Sequence, residues 1–246
     1  MSALQLKSVS KRYNQSQVLS TLSMTFPEDR ITAVIGASGC GKSTLLKLCN
    51  GLVQPDDGTV YAFGQPLDYQ SIAATRRRMG YAVQGTGLFP HLSARDNITL
   101  LAPLAGWNEE QVQTRLEELL LLTSLQHDQL AKYPHELSGG QQQRVGLCRA
   151  MMLRPEVLLL DEPFAAIDPI TRSDIHQQLL ALHRAEPTTS VLVTHDMREA
   201  LLLADHIVVM GAGCILHSED TSVLLRGREH SEPEQLLHEL LSGAQS

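Results

Sequence analysis

The sequence predicts an α/β fold with a mostly parallel sheet and a helical insertion. Short apolar stretches alternate with stretches of helical spacing towards both ends of the chain. This alternation is typical of parallel strands connected by helices. Between residues 93 and 153 the pattern is mostly helical instead. We therefore expect an α/β core that this helical segment interrupts.

Composition limits the classes of protein to which the chain can belong. It has 246 residues, enough for one large domain or two small ones, with 43% apolar and 19% charged residues, so disorder is excluded as the main state. A formal net charge of −7 disfavours nucleic acid or anionic lipid as a partner. No membrane helix is expected, because no apolar run approaches about 18 residues. No signal peptide is expected either, because the N-terminus lacks an apolar segment and has Lys7, Lys11 and Arg12 placed early. The four cysteines are far apart and are expected to be reduced thiols.

Strands are expected to dominate the first third of the chain. Apolar stretches that alternate or are rich in β-branched residues predict five strands, at 3–9, 18–26, 31–35, 59–63 and 79–83. The third of these ends at Gly36, and the residues that follow predict a helix over 43–50, closed by Gly51. A strand, a glycine loop and a helix therefore follow one another directly.

Helices and strands alternate in the second half of the chain. Helical spacing predicts four helices, at 109–122, 138–153, 171–184 and 199–203. Short apolar runs predict strands at 157–160 and 191–193 and a hairpin of 207–210 with 214–217. The residues after Gly227 are polar, and we expect them to end in one short helix.

The glycine loop has the composition of a phosphate-binding site. Gly36-Ala37-Ser38-Gly39-Cys40-Gly41-Lys42-Ser43-Thr44 fits the pattern G-x-x-x-x-G-K-[ST]. Glycines let several backbone N–H groups point at a polyphosphate, and the following helix adds its positive end. Lys42 would reach the β- and γ-phosphates and the Ser43 hydroxyl would bind Mg²⁺. A plain glycine turn is the alternative, and the glycine order disfavours a dinucleotide-binding loop.

Polar residues follow three of the predicted strands. Asp161 and Glu162 come directly after the apolar run 157–160, and His195 and Gln84 each end another strand. In a parallel sheet such residues meet at the carboxyl edge, beside the phosphate loop. Asp161 would bind Mg²⁺, and Glu162 would act as general base on the attacking water. Gln84 would contact Mg²⁺ or that water, and His195 a γ-phosphate oxygen.

A second glycine motif completes a family pattern. Leu137-Ser138-Gly139-Gly140-Gln141-Gln142-Gln143-Arg144, the signature segment, places a hydroxyl and two glycines at a helix start, another anion-binding end. With the other motifs in order, the chain from about residue 4 to 225 resembles the ATP-binding cassette (ABC) ATPases. The resemblance implies a P-loop NTPase (RecA-like) core with a mixed sheet, an antiparallel β subdomain and an inserted helical signature subdomain.

The resemblance also implies where that subdomain lies. A single ATPase domain would span residues 1–230, with its core at 1–86 and 157–227 and the helical subdomain at 87–156. Residues 228–246 would form a short polar tail.

Site roles follow from the same resemblance. Tyr13 matches the residue that stacks on adenine, Gln84 the Q-loop, Asp168 the D-loop aspartate and His195 the switch histidine. Two copies of the chain would pack head to tail, so that Ser138, Gly139, Gly140 and Gln141 act on the ATP held by the second copy. The D-loop departs from the usual Ser-Ala-Leu-Asp, reading Ala165-Ala166-Ile167-Asp168, which puts fine coupling of the two sites in doubt.

The function implied is an ATPase subunit that powers an importer. It would work with Mg²⁺ and ATP, with transmembrane permease subunits and, indirectly, with a solute-binding protein, at the inner face of the cell membrane. The segments around Asp161 and His195 are similar to those of ATPases that import glycine betaine, choline and other osmoprotectants. The alternatives are an ABC ATPase that acts on nucleic acid or ribosomes, and an interaction module that binds nucleotide without hydrolysing it.

Overall fold

The computed structural model describes residues 2–165, 167–226 and 232–242. These residues fall into two compact units, one formed by the described residues before 76 and after 188 and the other by those of 76–188. Nowhere in the described ranges does a helix combine the length and apolarity needed to cross a membrane. The expected boundary between domain and tail, near residue 230, lies outside the described residues.

Ten strands and nine α-helices form within the described residues. The strands are β1 (Leu4–Tyr13), β2 (Ser16–Phe26), β3 (Ile31–Gly36), β4 (Asp57–Ala62), β5 (Gln65–Pro66), β6 (Met79–Ala82), β7 (Val157–Asp161), β8 (Thr189–Val193), β9 (His206–Gly211) and β10 (Cys214–Asp220). The helices are α1 (Lys42–Cys49), α2 (Ile72–Arg77), α3 (Ala94–Thr99), α4 (Glu109–Thr123), α5 (Gly139–Met151), α6 (Pro169–Ala185), α7 (Met197–Leu203), α8 (Thr221–Leu224) and α9 (Pro233–Ser242).

The first unit contains an antiparallel sheet and a mixed sheet. The antiparallel sheet has the strand order β2-β1-β4-β5. In the mixed sheet β3 pairs in parallel with both β8 and β9, and β10 adds an antiparallel edge. Every residue of β3 is buried, as its continuous apolar run predicts. Helix α1 follows β3 and contacts β8, which places the phosphate loop at the carboxyl ends of these strands.

The second unit is mainly helical, as the middle of the sequence predicts. Its strands β6 and β7 pair in parallel, with Met79 opposite Val157 and Ala82 opposite Leu160. Helix α5 contacts α3, α4, α6 and β6, so it lies at the centre of the unit. The α/β class with a mixed sheet, an antiparallel sheet and helical segments is therefore confirmed.

Several element bounds differ from those expected, and the causes are local. Helix α6 begins at Pro169 rather than at residue 171, because Asp168 accepts a hydrogen bond from the Thr171 N–H and a proline suits the first helical turn. Helix α7 begins two residues early because Asp196 caps it. Helix α2, at Ile72–Arg77, was not predicted, and its short sequence has no buried residue that would create a periodic pattern.

A buried arginine connects three helices of the second unit. Arg115 on α4 has 2% of its side chain exposed and donates to the carbonyl oxygens of Met151, at 2.7 Å, and Met152, at 3.3 Å. It also pairs with Glu186, which follows α6, at 2.7 Å. The guanidinium therefore satisfies carbonyl groups at the end of α5, and its charge is balanced.

We expect Arg115→Met to lower the free energy of unfolding by about 3 kcal/mol, because it removes the buried charge that pairs with Glu186 and the donors to the Met151 and Met152 carbonyls. Urea denaturation followed by circular dichroism measures the loss. Arg78→Met is the matched control, since Arg78 pairs with Glu156 where both side chains are about half exposed, and it should cost about 1 kcal/mol or less. Equal losses of unfolding free energy in the two variants would contradict the stabilising role assigned to the buried Arg115.

Candidate functional site

The phosphate loop is shaped by the buried strand that precedes it. Strand β3 delivers Gly36, and helix α1 starts at Lys42. Gly41, just before the helix, has a φ of 108°, and a Cβ there would lie only 2.5 Å from Leu19 Cδ2. Only glycine avoids both the strain and the clash, so the tight entry into α1 depends on it.

The Lys42 ammonium lies inside the loop. Its side chain is buried, with the residue 5% exposed, and Nζ donates to the carbonyl oxygens of Gly36, at 2.8 Å, and Ala37, at 3.0 Å. The Cys40 thiol is 4.0 Å from Nζ. A buried ammonium held by carbonyl oxygens of the loop keeps a positive charge at its centre. This arrangement is suited to an anionic group that lies over the loop.

The start of α1 adds to the attraction for an anion. No acidic residue lies in the first turn of this helix. Ser43 and Thr44, both half-buried, occupy that turn directly after Lys42. The first N–H groups of a helix lack intrahelical acceptors and carry the positive end of its dipole. The loop and the helix start are therefore suited to an anion, with two hydroxyls beside them.

His195 lies at the same level of the sheet as Gly36. Strands β3 and β8 pair in parallel with Val34 opposite Val193, so two residues further on Gly36 and His195 are level. Thr194, which lies between Val193 and His195, is buried, and its N–H donates to the Val34 carbonyl at 3.2 Å. The exposed His195 is thereby placed at the carboxyl edge next to the phosphate loop.

Tyr13 lies at the end of a hairpin that borders the loop. It closes β1 opposite Ser16 of β2 and is 42% exposed. The Lys11 ammonium lies 5.7 Å from the centre of its ring. Because Leu19 of β2 approaches Gly41, this hairpin contacts the loop. An exposed aromatic face beside a phosphate site fits a base-stacking role.

In the second unit, two neighbouring strands present Gln84 and Glu162 together. The register of β6 and β7 makes these two residues level, and Gln84 Nε2 lies 3.4 Å from Glu162 Oε2. Asp161, the last residue of β7, is 6% exposed. Burial, with a smaller effect from the charge of Asp161, raises the pKa of Tyr81 to about 12. The Gln84 amide and the Glu162 carboxylate therefore lie together where β6 and β7 end, directly after the buried Asp161.

The signature segment starts α5 with two reciprocal bonds. The Ser138 hydroxyl accepts from the Gln141 N–H at 3.3 Å, and the Ser138 N–H donates to Gln141 Oε1 at 2.9 Å. Ser138 and Gly139 are exposed, whereas Gly140 is buried. This capping box fixes the chain entering the helix and leaves Ser138 and Gly139 accessible.

Asp168 caps helix α6. Its carboxylate accepts from the Thr171 N–H at 3.0 Å. This bond holds the pKa of Asp168 below its ordinary value. The carboxylate is therefore ionised and oriented by its own helix. Ala166, which belongs to the unusual D-loop sequence, lies outside the described residues.

Two residues that support the site were not predicted from the sequence. Glu199 is 6% exposed and accepts a hydrogen bond of 2.5 Å from the Thr194 hydroxyl, which fixes the residue before His195. Thr171 supports Asp168, because its N–H donates to the Asp168 carboxylate. Each lies three positions after a capping aspartate, Asp196 or Asp168. A polar residue three positions after an N-capping aspartate is the sequence pattern that could have identified both residues.

Comparison with known proteins gives consistent results. Residues 19–165 match the family model described as ABC transporter. The glycine betaine uptake system ATP-binding protein YehX of Escherichia coli (strain K12) is 42% identical over 90% of this chain and 72% of its own length. The glycine betaine/carnitine/choline transport ATP-binding protein OpuCA of Bacillus subtilis (strain 168) is 40% identical over 95% of this chain. The chain spans only 62% of the length of OpuCA.

Solved structures show the same fold. The ATP-binding cassette MJ0796, in a dimeric post-hydrolysis state bound to ADP and Pi, matches with a TM-score of 0.79 and 31% identity over 89% of this chain and 98% of its own. The structure of cbiO1 from Clostridium perfringens, part of the transporter complex cbiONQ, has a TM-score of 0.84 at 27% identity, over 93% of this chain and 92% of its own. On the family model and on these identities, the chain belongs to the ABC transporter family.

Proposed function

We propose that this chain binds and hydrolyses ATP to power an importer of small polar solutes, of the class of glycine betaine and choline. The observation that carries the ATP-binding part is the buried Lys42 ammonium inside a glycine loop at the start of α1. The solute class is supported by relatives about 40% identical, whose names specify glycine betaine, carnitine or choline transport.

ATP would lie with its phosphates over the loop and its base against Tyr13. The backbone N–H groups of Gly36, Ser38, Gly39, Cys40, Gly41, Lys42, Ser43 and Thr44 are the proposed phosphate donors. The Lys42 ammonium would turn from the Gly36 and Ala37 carbonyls to the β- and γ-phosphates. Its present bonds keep it within the loop, so little reorganisation is needed.

Hydrolysis would use the polar residues at the strand ends. Glu162 would take the proton of the attacking water, Gln84 would orient that water, and a ring nitrogen of His195 would donate to a γ-phosphate oxygen. The hydroxyl of Ser43, the amide oxygen of Gln84 and the carboxylate of Asp161 are hard oxygen donors, the chemistry that Mg²⁺ prefers. When bound, Mg²⁺ would neutralise part of the phosphate charge.

Transport would require a second copy of the chain and further protein subunits. We propose a head-to-tail dimer in which Ser138, Gly139, Gly140 and Gln141 contact the ATP held by a second copy, with Asp168 close to the dimer interface. The exposed start of α5 supports this arrangement, and MJ0796, 31% identical, is described as a dimer. Permease subunits would provide the pore, a solute-binding protein would deliver the solute, and the ATPase would work at the inner face of the cell membrane.

We expect Lys42→Ala to weaken ATP binding by about tenfold or more, because a charge-assisted contact to the phosphates is removed. Isothermal titration calorimetry with ATP and Mg²⁺ measures the affinity. Lys47→Ala, an exposed lysine on the same helix, is the control and should bind as the unmodified chain does. Unchanged affinity in Lys42→Ala would contradict the assigned phosphate site.

We expect Glu162→Gln to retain ATP binding, to lose hydrolysis by about 100-fold or more, and to accumulate as an ATP-bound dimer, because the amide cannot accept the proton of water. Phosphate release and gel filtration with ATP measure the two effects. Glu156→Gln removes an exposed carboxylate of the same unit and should hydrolyse ATP normally. A Glu162→Gln chain that turns over ATP normally and stays monomeric would exclude this role.

Extraction of native membranes in mild detergent tests the transport function. We expect the tagged chain to co-purify with a membrane protein of several spans and, in the intact complex, with a solute-binding protein. Mass spectrometry identifies the partners, and an untagged chain controls for background. Ribosomal proteins or nucleic acid without a membrane protein would instead support the alternative function.

A further inference from the structure

Thr171 contacts two functional segments of the second unit at once. Its N–H donates to the Asp168 carboxylate at 3.0 Å. Its methyl carbon faces the start of α5, where a Cβ added to Gly140 would lie 2.2 Å from Thr171 Cγ2. One residue of α6 therefore bonds to the D-loop aspartate through its backbone and packs against the signature segment through its side chain.

The Thr171 methyl occupies the space that a side chain at position 140 would need. A Cβ built on Gly140 would lie 2.2 Å from this methyl, far inside the ordinary carbon–carbon contact distance. Ile175, one turn further along α6, would lie 3.9 Å from the same Cβ. Threonine is branched at Cβ and its side chain rotates little, so the methyl keeps its place against the start of α5.

Helix α6 also holds the segment that leads from Glu162 to Asp168. Arg172 donates from Nη2 to the Ile167 carbonyl at 3.0 Å. At the other end of the segment, the buried ring of Phe164 meets His176 of α6 edge to face, with ring centres 4.4 Å apart. Both ends of the chain that follows the proposed general base are thus fixed to α6.

We propose that Thr171 is a positioning residue that couples the signature segment to Asp168 and Glu162 of the same subunit. This inference rests on the proposed ATPase dimer, in which the signature segment meets the second copy's ATP while Glu162 acts on its own. Thr171 then connects the two nucleotide sites through one polypeptide. Occupation of one site moves α5, the methyl contact moves α6, and α6 carries the D-loop. The coupling acts equally in both directions.

A pair of substitutions tests the methyl contact of Thr171. Thr171→Ser removes the methyl, whereas Thr171→Val keeps a methyl towards Gly140 and keeps the backbone N–H that bonds to Asp168. We expect Thr171→Ser to lower kcat by about three- to tenfold and to reduce the Hill coefficient of ATP hydrolysis towards 1, and Thr171→Val to retain both values. The affinity of the isolated subunit for ATP should stay unchanged, because neither variant touches the phosphate loop. Ser173→Ala, on an exposed residue of the same turn, is the control.

These readouts distinguish the inference from the function on which it rests. If the unmodified chain hydrolyses ATP and Thr171→Ser keeps its kcat and Hill coefficient, or if Thr171→Val loses as much as Thr171→Ser, the coupling is wrong and the ATPase stands. A Hill coefficient of 1 in the unmodified chain would also overturn the coupling. If the unmodified chain shows no Mg²⁺-dependent hydrolysis, with or without its permease, the proposed function fails first.

Steric suppression tests the contact itself. Gly140→Ala adds a methyl that collides with Thr171 Cγ2, and we expect hydrolysis to fall by about 100-fold. The double variant Gly140→Ala with Thr171→Ser removes the colliding methyl and should recover about tenfold of that loss. Circular dichroism checks that both variants fold. Equal activity in the single and double variants would show that this contact does not limit catalysis and would overturn the inference.

Discussion

The parallel pairing of buried strands determines where the chemistry lies in this molecule. Strand β3 is buried along its whole length, and its register with β8 makes Gly36 and His195 level. The pairing of β6 with β7 does the same for Gln84 and Glu162. A register shift of one residue in a strand would turn its side chains to the opposite face and displace the residues that follow it. The apolar runs, which carry no chemistry themselves, therefore fix the positions of the polar residues that follow them.

The sequence predicted this part of the fold well, for a physical reason. A β-branched run followed by a glycine loop, a lysine and a helix is encoded in adjacent residues, so local patterns were sufficient. The bounds of α6 and α7 were missed by two residues because Asp168 and Asp196 cap these helices through side-chain bonds. Helix α2 escaped prediction because none of its residues is buried, and periodicity reports only burial.

Contacts between distant segments could not be predicted in the same way. The sequence indicates that Gly140 belongs to an anion-binding helix start, but its closeness to Thr171 depends on how α5 and α6 pack. Arg115 likewise looks like an ordinary charged residue of an amphipathic helix, yet 2% of its side chain is exposed and it bonds to two carbonyls of α5. Such partners are far apart in sequence and have no fixed spacing.

The position of Glu162 depends both on local sequence and on contacts between distant segments. It has a φ of 46°, a left-handed conformation that costs a residue other than glycine about 1 kcal/mol or more. The turn persists because buried Asp161 holds one side of it and buried Phe164, packed on His176, holds the other. The backbone of Glu162 is thus held between two buried neighbours, and it can shift only if the elements that bury them shift. Because α6 is the element in contact with both this turn and the signature segment, a change at the start of α5 has a direct physical route to the carboxylate.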